Sequence, residues 1–434
     1  MKRNKSHIVL LVLLLLSLSR TEVQSCSMYK ITVDGKTMVG CNHDDWLTTP
    51  KIWFENAQQP NEYGAGFSGA REVSRNRTAP QSGMNTAGLA FSRLASYYPS
   101  QPNPFANRLK ITDEAEYLTN ILHQCATVAD VKRYIEQYDH SFFIDGVFIY
   151  IDSLGDYLLV EPYQILEGND PAYVLANFCP SITDNEQARQ MERYRNGEDF
   201  LKKHPMRSSL AYCTALSDTM HVCRKRNGDG TLISSIWDTK DKTVHLYFYH
   251  VYDSAVRFSL VEELAKGDHI LSIPELFPQN AEFERLVNYK TPFNIPELRI
   301  LLVVLAGFLA LFALLLGIPM FWKNNKLAIS FRPFIAMAAI NLLLVAYLFV
   351  LVTNKYIFYF DAPFKHRESI LISASSYIPF LLLVTIVPLV YQSYQKLKSA
   401  EVKLWTKTTL VSNTLVYVFL LAGFSYWGLY SIWA

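Results

Sequence analysis

Four apolar runs close this chain, at about 299 to 322, 332 to 353, 369 to 392 and 409 to 432. Each is ~22–24 residues long, enough to cross a hydrocarbon core with some tilt. Lipid offers no partner to a backbone amide, so runs of this length and composition read as spanning helices. The chain is thereby divided: residues from about 299 read as membrane, and residues 27 to 298 as an ordinary globular protein. The loops between the runs are short. Lys323, Lys326 and Arg332 flank the first loop, and Lys396, Lys398, Lys403 and Lys407 lie in the third. The positive-inside preference puts both loops in the cytoplasm and the preceding domain outside. The middles of the runs hold no Asp, Glu, Lys, Arg or His, which reads as an anchor and not as an ion or proton path.

The amino terminus carries the matching export signal. Lys2, Arg3 and Lys5 form a basic stretch, followed by an apolar run from Ile8 to Leu18 broken only by Ser17. That run suits a secretory signal and is short for a spanning helix. Val23 and Ser25 stand at the −3 and −1 positions of a small-residue cleavage site, and cutting after Ser25 leaves Cys26 first. A lipobox, Val23-Gln24-Ser25-Cys26, is the other reading of the same residues, and it would lipidate Cys26. All six cysteines (26, 41, 125, 179, 213 and 223) lie on the exported side, where disulfides can form. Cys213 and Cys223 are close enough in sequence to close a small loop, while a nucleophilic Cys26 must stay free. The net charge of +2 leaves no electrostatic footprint for nucleic acid.

Within the exported part, residues 26 to 46 read as a β-hairpin. Met28 to Val33 alternates apolar and polar, Asp34-Gly35 is a favoured two-residue turn, and Lys36 to Gly40 returns. Centred there, the turn sets Val33 opposite Lys36 and Cys26 opposite His43, beside Asp44 and Asp45. Gly83 to Ser92 reads as a turn into an apolar strand. Residues 113 to 138 read as two helices, capped by Thr112 or Asp113 and by Thr127. Gly146 to Val160 is a strand pair, Tyr173 to Asn177 a short strand, and 185 to 203 a charged helical stretch. Leu232 to Tyr252 is a second hairpin, with strands Ile233 to Trp237 and Thr243 to Tyr252. Hairpins with packed helices make an α+β domain. The expected organisation is a signal at 1–25, a catalytic domain at 26–266, a linker at 267–298 and a membrane domain at 299–434.

A cysteine at a mature amino terminus carries its own base. The α-amine and the thiol have reference pKa values near 8 and 8.5, close enough to share a proton. The attacked carbonyl then needs hydrogen-bond donors for its oxyanion, and the amine needs an acceptor to hold it. The hairpin register supplies that acceptor as Asp44.

Three segments resemble the N-terminal-nucleophile hydrolases of the choloylglycine hydrolase and penicillin V acylase type, and their isopenicillin N acyltransferase-like relatives. They are Cys26-Ser27-Met28 with Gly40-Cys41-Asn42-His43-Asp44-Asp45-Trp46, then Gly83-Met84-Asn85-Thr86-Ala87-Gly88-Leu89, then Val174-Leu175-Ala176-Asn177. The resemblance covers roughly residues 26 to 260. It implies a four-layer αββα sandwich and an acyl-thioester mechanism. Cys26 is then the nucleophile, Asp44 the residue that orients its amine, and Asn177 an oxyanion donor. Asn85 reads as a turn residue, and His43 as a surface or pocket-wall residue, not a base. Bile-salt hydrolases have an arginine where this chain has Cys41, and the second oxyanion asparagine has no match in Ser92-Arg93-Leu94-Ala95. Arg224 and Arg226 lie roughly where the family has a later arginine. The expected activity is cleavage of a linear amide, or transfer of its acyl group to an amine. The substrate is a small or lipid-like N-acyl amide, with no cofactor and no metal. A lipidated, non-catalytic binding or sensor protein is the competing reading.

Overall fold

The computed structural model describes residues 26–73, 77–224, 227–321, 328–366, 369–399 and 402–432. The expected signal segment, 1–25, lies outside them, as does all of the lipobox but Cys26. The chain's described residues fall into two compact units, one within 26–224 and 229–288 and one within 227–228 and 289–432.

The first unit begins with β1 (Ser27–Val33) and β2 (Lys36–Asp44). Asp34 and Gly35 between them have φ of 52° and 69°. Two positive φ values are what a two-residue hairpin turn needs to match the strand twist. Val33 accordingly pairs with Lys36, and Ser27 with Asn42. The remaining strands are β3 (Lys51–Glu55), β4 (Ala65–Gly69), β5 (Glu72–Val73), β6 (Arg77–Thr78), β7 (Ser82–Asn85), β8 (Ala90–Ala95), β9 (Gly146–Ile151), β10 (Tyr157–Val160), β11 (Ile165–Gly168), β12 (Ala172–Leu175), β13 (Thr231–Asp238), β14 (Thr243–Phe248), β15 (Val251–Ser259) and β16 (His269–Ser272). One sheet has six strands in the order β12-β1-β2-β13-β14-β15, and another has eight in the order β11-β10-β9-β8-β7-β4-β3-β16.

Side-chain alternation sorts these strands into cores. Met28, Cys41 and Trp237 of the first sheet share one apolar cluster with Ile52, Met84, Ile149 and Ile151 of the second. The opposite face of the eight-stranded sheet, with Phe67, Phe91, Phe148 and Tyr150, packs on two helices. These are α1 (Glu114–Gln124), capped by Asp113, and α2 (Val128–Ile135), opened by a capping box between Thr127 and Asp130. The opposite face of the six-stranded sheet, with Tyr29, Ile31 and Ile236, packs on α3 (Glu192–Lys203) and α4 (Leu210–Met220). The unit is thus a mixed sandwich of strands and helices.

Three expectations change. The returning strand of the second hairpin stops at Phe248, because Tyr249 and His250 take φ of 53° and 48° and turn the chain into β15. The segment 267–298 is in part built into the sandwich: β16 pairs antiparallel with β3, and a helix follows at Ala281–Val287. Cys213 and Cys223 are not paired. None of the six cysteines is in a disulfide; Cys213 is buried under the six-stranded sheet and Cys223 is exposed beyond the end of α4.

In the second unit, four spans among the described residues are long and apolar enough to cross a membrane: Pro296–Gly317, Pro333–Thr353, Ile370–Lys398 and Leu404–Tyr426. The third is interrupted, since Ile370–Ser375 gives way to Ile378–Lys398. The last begins and ends earlier than its apolar run suggests, at Leu404 and Tyr426. Asn341 donates to Asn413 Oδ1 at 2.9 Å and accepts from the Tyr417 hydroxyl at 2.6 Å, all three buried. An amide pair of this kind fixes how two helices face each other where apolar packing alone is permissive.

Tyr29 offers a direct check on the six-stranded sheet. Its ring lies across Gly40 of the neighbouring strand, and its hydroxyl bonds Cys213 O at 2.5 Å and Ser217 Oγ at 2.9 Å on α4. A Cβ at Gly40 would overlap that ring. Gly40→Ala should cost about 1–3 kcal/mol through overpacking, read as a lower unfolding midpoint. An unchanged midpoint would show that the ring can step aside.

Candidate active site

The antiparallel register gathers four chain positions at one end of the six-stranded sheet. Cys26 precedes β1, Asp44 ends β2, Thr231 opens β13 opposite Asp44, and Asn177 follows β12 by two residues. Cys26, Asp44 and Asn177 are all nearly inaccessible, at 5%, 3% and 4% exposure. The Cys26 thiol points to the Asp44 carbonyl oxygen, with Sγ 3.8 Å away. Asp44 Oδ1 accepts from the Thr231 hydroxyl at 2.6 Å. Its other oxygen, Oδ2, is buried with no hydrogen-bond partner among the described residues.

Arg193, on α3, ties the remaining pieces together. Its Nε donates to Cys26 O at 3.1 Å, and a terminal nitrogen donates to Asn177 Oδ1 at 2.5 Å. With its oxygen so engaged, Asn177 turns its amide nitrogen toward Ala95 O, 2.6 Å away. An amide nitrogen has two hydrogens, so this contact uses one of them. The sequence reading missed Arg193. Arg189 and Arg195 stand close by in the same charged stretch, and nothing local distinguishes the three. Arg224, one of the two arginines singled out by location, donates to Asp45 O at 2.5 Å and lies over the Tyr249 ring at 5.2 Å. Arg226 lies outside the described residues.

Burial dominates the electrostatics. It pushes the Cys26 thiol far above its usual range, and the neighbouring Asp44 charge pushes it further. A thiol in this state needs a base to become a nucleophile. Burial also raises the Asp44 carboxyl to about 7, against the opposing effects of Thr231, Arg193 and Arg224. The two guanidinium groups therefore do not outweigh the loss of water around the carboxylate.

The neighbouring polar residues have structural roles. His43 is buried, not at the surface, with Nε2 3.0 Å from Ser82 Oγ, and burial lowers it to about 4. It is a neutral imidazole at physiological pH. Cys41 is raised to about 12 by burial, against hydrogen bonds with Ser92, Ser235 and Ser82. Asn85 holds its turn: its amide nitrogen donates to Leu122 O and Cys125 O, both at 2.7 Å, and Oδ1 accepts from Leu89 N–H.

No protein-family model matches the chain, and no curated protein does. Solved structures do. A mutant of conjugated bile acid hydrolase from Clostridium perfringens matches at 13% identity and a TM-score of 0.43, covering 59% of this chain and 97% of that one. A second variant of that hydrolase matches at 13% identity and a TM-score of 0.44, with the same coverage. Penicillin V acylase from Agrobacterium tumefaciens matches at 16% identity and a TM-score of 0.43, covering 56% of this chain and 90% of that one.

The raised Asp44 carboxyl carries a pH signature while the peptide bond before Cys26 is intact. A folded pKa of about 7 against 3.8 unfolded means that the folded state holds this proton more tightly. The associated stability is full below pH 3.8 and is lost as pH rises through about 7. Relative to the same uncleaved chain carrying Asp44→Asn, the uncleaved chain should lose on the order of a few kcal/mol across that window and nothing further above it. Parallel stability profiles for the two would contradict the assignment.

Proposed function

We propose that this chain is a membrane-tethered, cysteine-dependent amidohydrolase or acyltransferase, acting on linear N-acyl amides through an acyl-thioester at Cys26. Its catalytic unit is an αββα sandwich: α3 and α4, the six-stranded sheet, the eight-stranded sheet, then α1 and α2. The domain faces the extracytoplasmic side. The observation that carries this reading is Asp44 Oδ2, a buried carboxylate oxygen without a hydrogen-bond partner among the described residues, beside the residue that cleavage after Ser25 would make the amino terminus. An isolated buried carboxylate is costly, and a cation at that point offsets the cost. The α-ammonium of a processed Cys26 is such a cation.

The chemistry follows from these positions. The α-amine of Cys26 takes the thiol proton, and Sγ attacks the amide carbonyl carbon. The second hydrogen of the Asn177 amide nitrogen donates to the developing oxyanion. Arg193 is a positioning residue that holds the Cys26 carbonyl and the Asn177 amide in one frame. The C–N bond breaks as the ammonium returns its proton to the leaving amine, leaving a thioester. Water then releases the carboxylic acid, or an amine acceptor takes the acyl group. A lipid-like acyl chain suits a catalytic unit tied to a bilayer.

Mass spectrometry of the amino-terminal peptide, from protein extracted out of membranes, tests the premise. The expected species begins with a free Cys26; a diacylated Cys26 would turn the reading toward a binding lipoprotein. On N-acyl amides, Cys26→Ala should abolish turnover while folding and membrane insertion persist. Asn177→Ala should lower kcat by ~10²–10³-fold, the usual effect of removing an oxyanion donor. Undiminished turnover in Cys26→Ala would sink the mechanism.

A further inference from the structure

Away from Cys26, one other thiol is built for reaction. Cys223 is exposed, whereas Cys26, Cys41, Cys125, Cys179 and Cys213 are buried. It follows α4, and the last turn and the C-cap residue of that helix supply its partners. His221 Nε2 lies 3.3 Å from Cys223 Sγ. On the other side of the ring, Nδ1 faces Asp218 twice, through a hydrogen bond to its carbonyl oxygen and through its carboxylate Oδ1 at 3.1 Å. Both Asp218 atoms are acceptors, so Nδ1 carries the ring proton and Nε2 presents its lone pair to the thiol. The order thiol, imidazole, carboxylate is the arrangement that activates a cysteine by passing its proton to histidine. His250 stacks on the His221 ring, with centroids 5.8 Å apart and planes 12° from parallel, and Tyr252 contacts it from 5.7 Å. His250 in turn meets Glu282 Oε2 at 3.5 Å. The imidazole is therefore held in place by its neighbours.

We propose that Cys223, with His221 and Asp218, is a thiol–disulfide exchange site whose co-reactant is a low-molecular-weight disulfide. In the exchange, the Cys223 S–H proton passes to His221 Nε2, and the resulting thiolate attacks one sulfur of the disulfide. A new S–S bond joins Cys223 to that half, and the old S–S bond breaks. The other half leaves as a thiolate and takes its proton from the imidazolium. One disulfide is consumed and one is formed, so no further oxidant is needed. Asp218 stabilises the transient imidazolium. The site's exposure lets a small disulfide reach it.

The adduct would form at the edge of the Asp44 region. Val222, the residue before Cys223, donates its N–H to Thr231 Oγ1 at 2.9 Å and accepts from Thr231 N–H at 2.9 Å. The same Thr231 hydroxyl donates to Asp44. The proposal itself does not depend on the reading of Cys26 as a nucleophile, and its test does not use turnover.

The experiment uses the full chain in detergent with Cys26→Ala, mixed with an aromatic disulfide whose released thiolate absorbs visible light. One equivalent should react in a fast phase, roughly tenfold or more above an unstructured peptide of the same local sequence, since activated thiols outpace ordinary ones. Peptide mapping should place the adduct on Cys223, and Cys223→Ser should remove the fast phase. His221→Ala should slow it to the peptide's rate, and Asp218→Asn should slow it part of the way with the fold intact. A wild-type rate equal to the peptide's would overturn the proposal, as would a fast phase that survives both His221→Ala and Asp218→Asn. Mapping of the adduct to another cysteine would do the same.

Discussion

The pairing of β1 with β2 across the Asp34-Gly35 turn is the constraint from which the site follows. The turn fixes the register, and the register sets the residue preceding β1 against the end of β2. Every other contact at the site then attaches to that edge. β13 brings Thr231 to Asp44 because it pairs with β2, and β12 brings Asn177 near Cys26 because it pairs with β1. Three chain segments far apart in sequence thus meet without any loop having to reach across the domain. Strand pairing is more rigid than loops, and a constellation held on strand ends is correspondingly well positioned.

What this arrangement does to its charged groups is decided by dehydration. The Asp44 carboxylate has two guanidinium groups in its vicinity and a hydroxyl donor at one oxygen, and still its proton affinity rises. Among the described residues one carboxylate oxygen has no hydrogen-bond partner, where most buried polar atoms are satisfied. Such an imbalance is costly unless a cation arrives, and it makes the site's ionisation sensitive to what stands at the start of β1. Arg193 spends Nε on Cys26 O and a terminal nitrogen on Asn177, and its charge only partly offsets the burial of Asp44.

Much of the frame was legible from sequence because it rests on local rules. Asp34-Gly35 announces its turn, Thr127 and Asp113 announce helix starts, and long apolar runs announce spans. Cys26, Asp44 and Asn177 stood out through motif and register. Other parts were hidden because they are settled by tertiary packing. Ala65 to Gly69 forms a fully buried strand in which every residue but Phe67 is small and has little β-preference, and β16 is recruited from a proline-bearing segment by the open edge of β3. Arg193 is chosen from its neighbours only by which face of α3 meets the strand ends. The Cys223 cluster was equally opaque, since a loop closure seemed as natural for Cys213 and Cys223 as separate fates.

The hairpin also limits how this region of the chain can vary over evolutionary time. In a two-residue turn, inserting or deleting one residue would slide one strand by a single position against the other. Side chains alternate between faces with a period of two, so that slip would carry a whole strand's inward set outward. Length changes between Cys26 and Asp44 are therefore not free to accumulate. They are tolerated only where a bulge absorbs the extra residue, and among diverged descendants of this chain the spacing between those two residues should be a more durable marker than most of the residues between them.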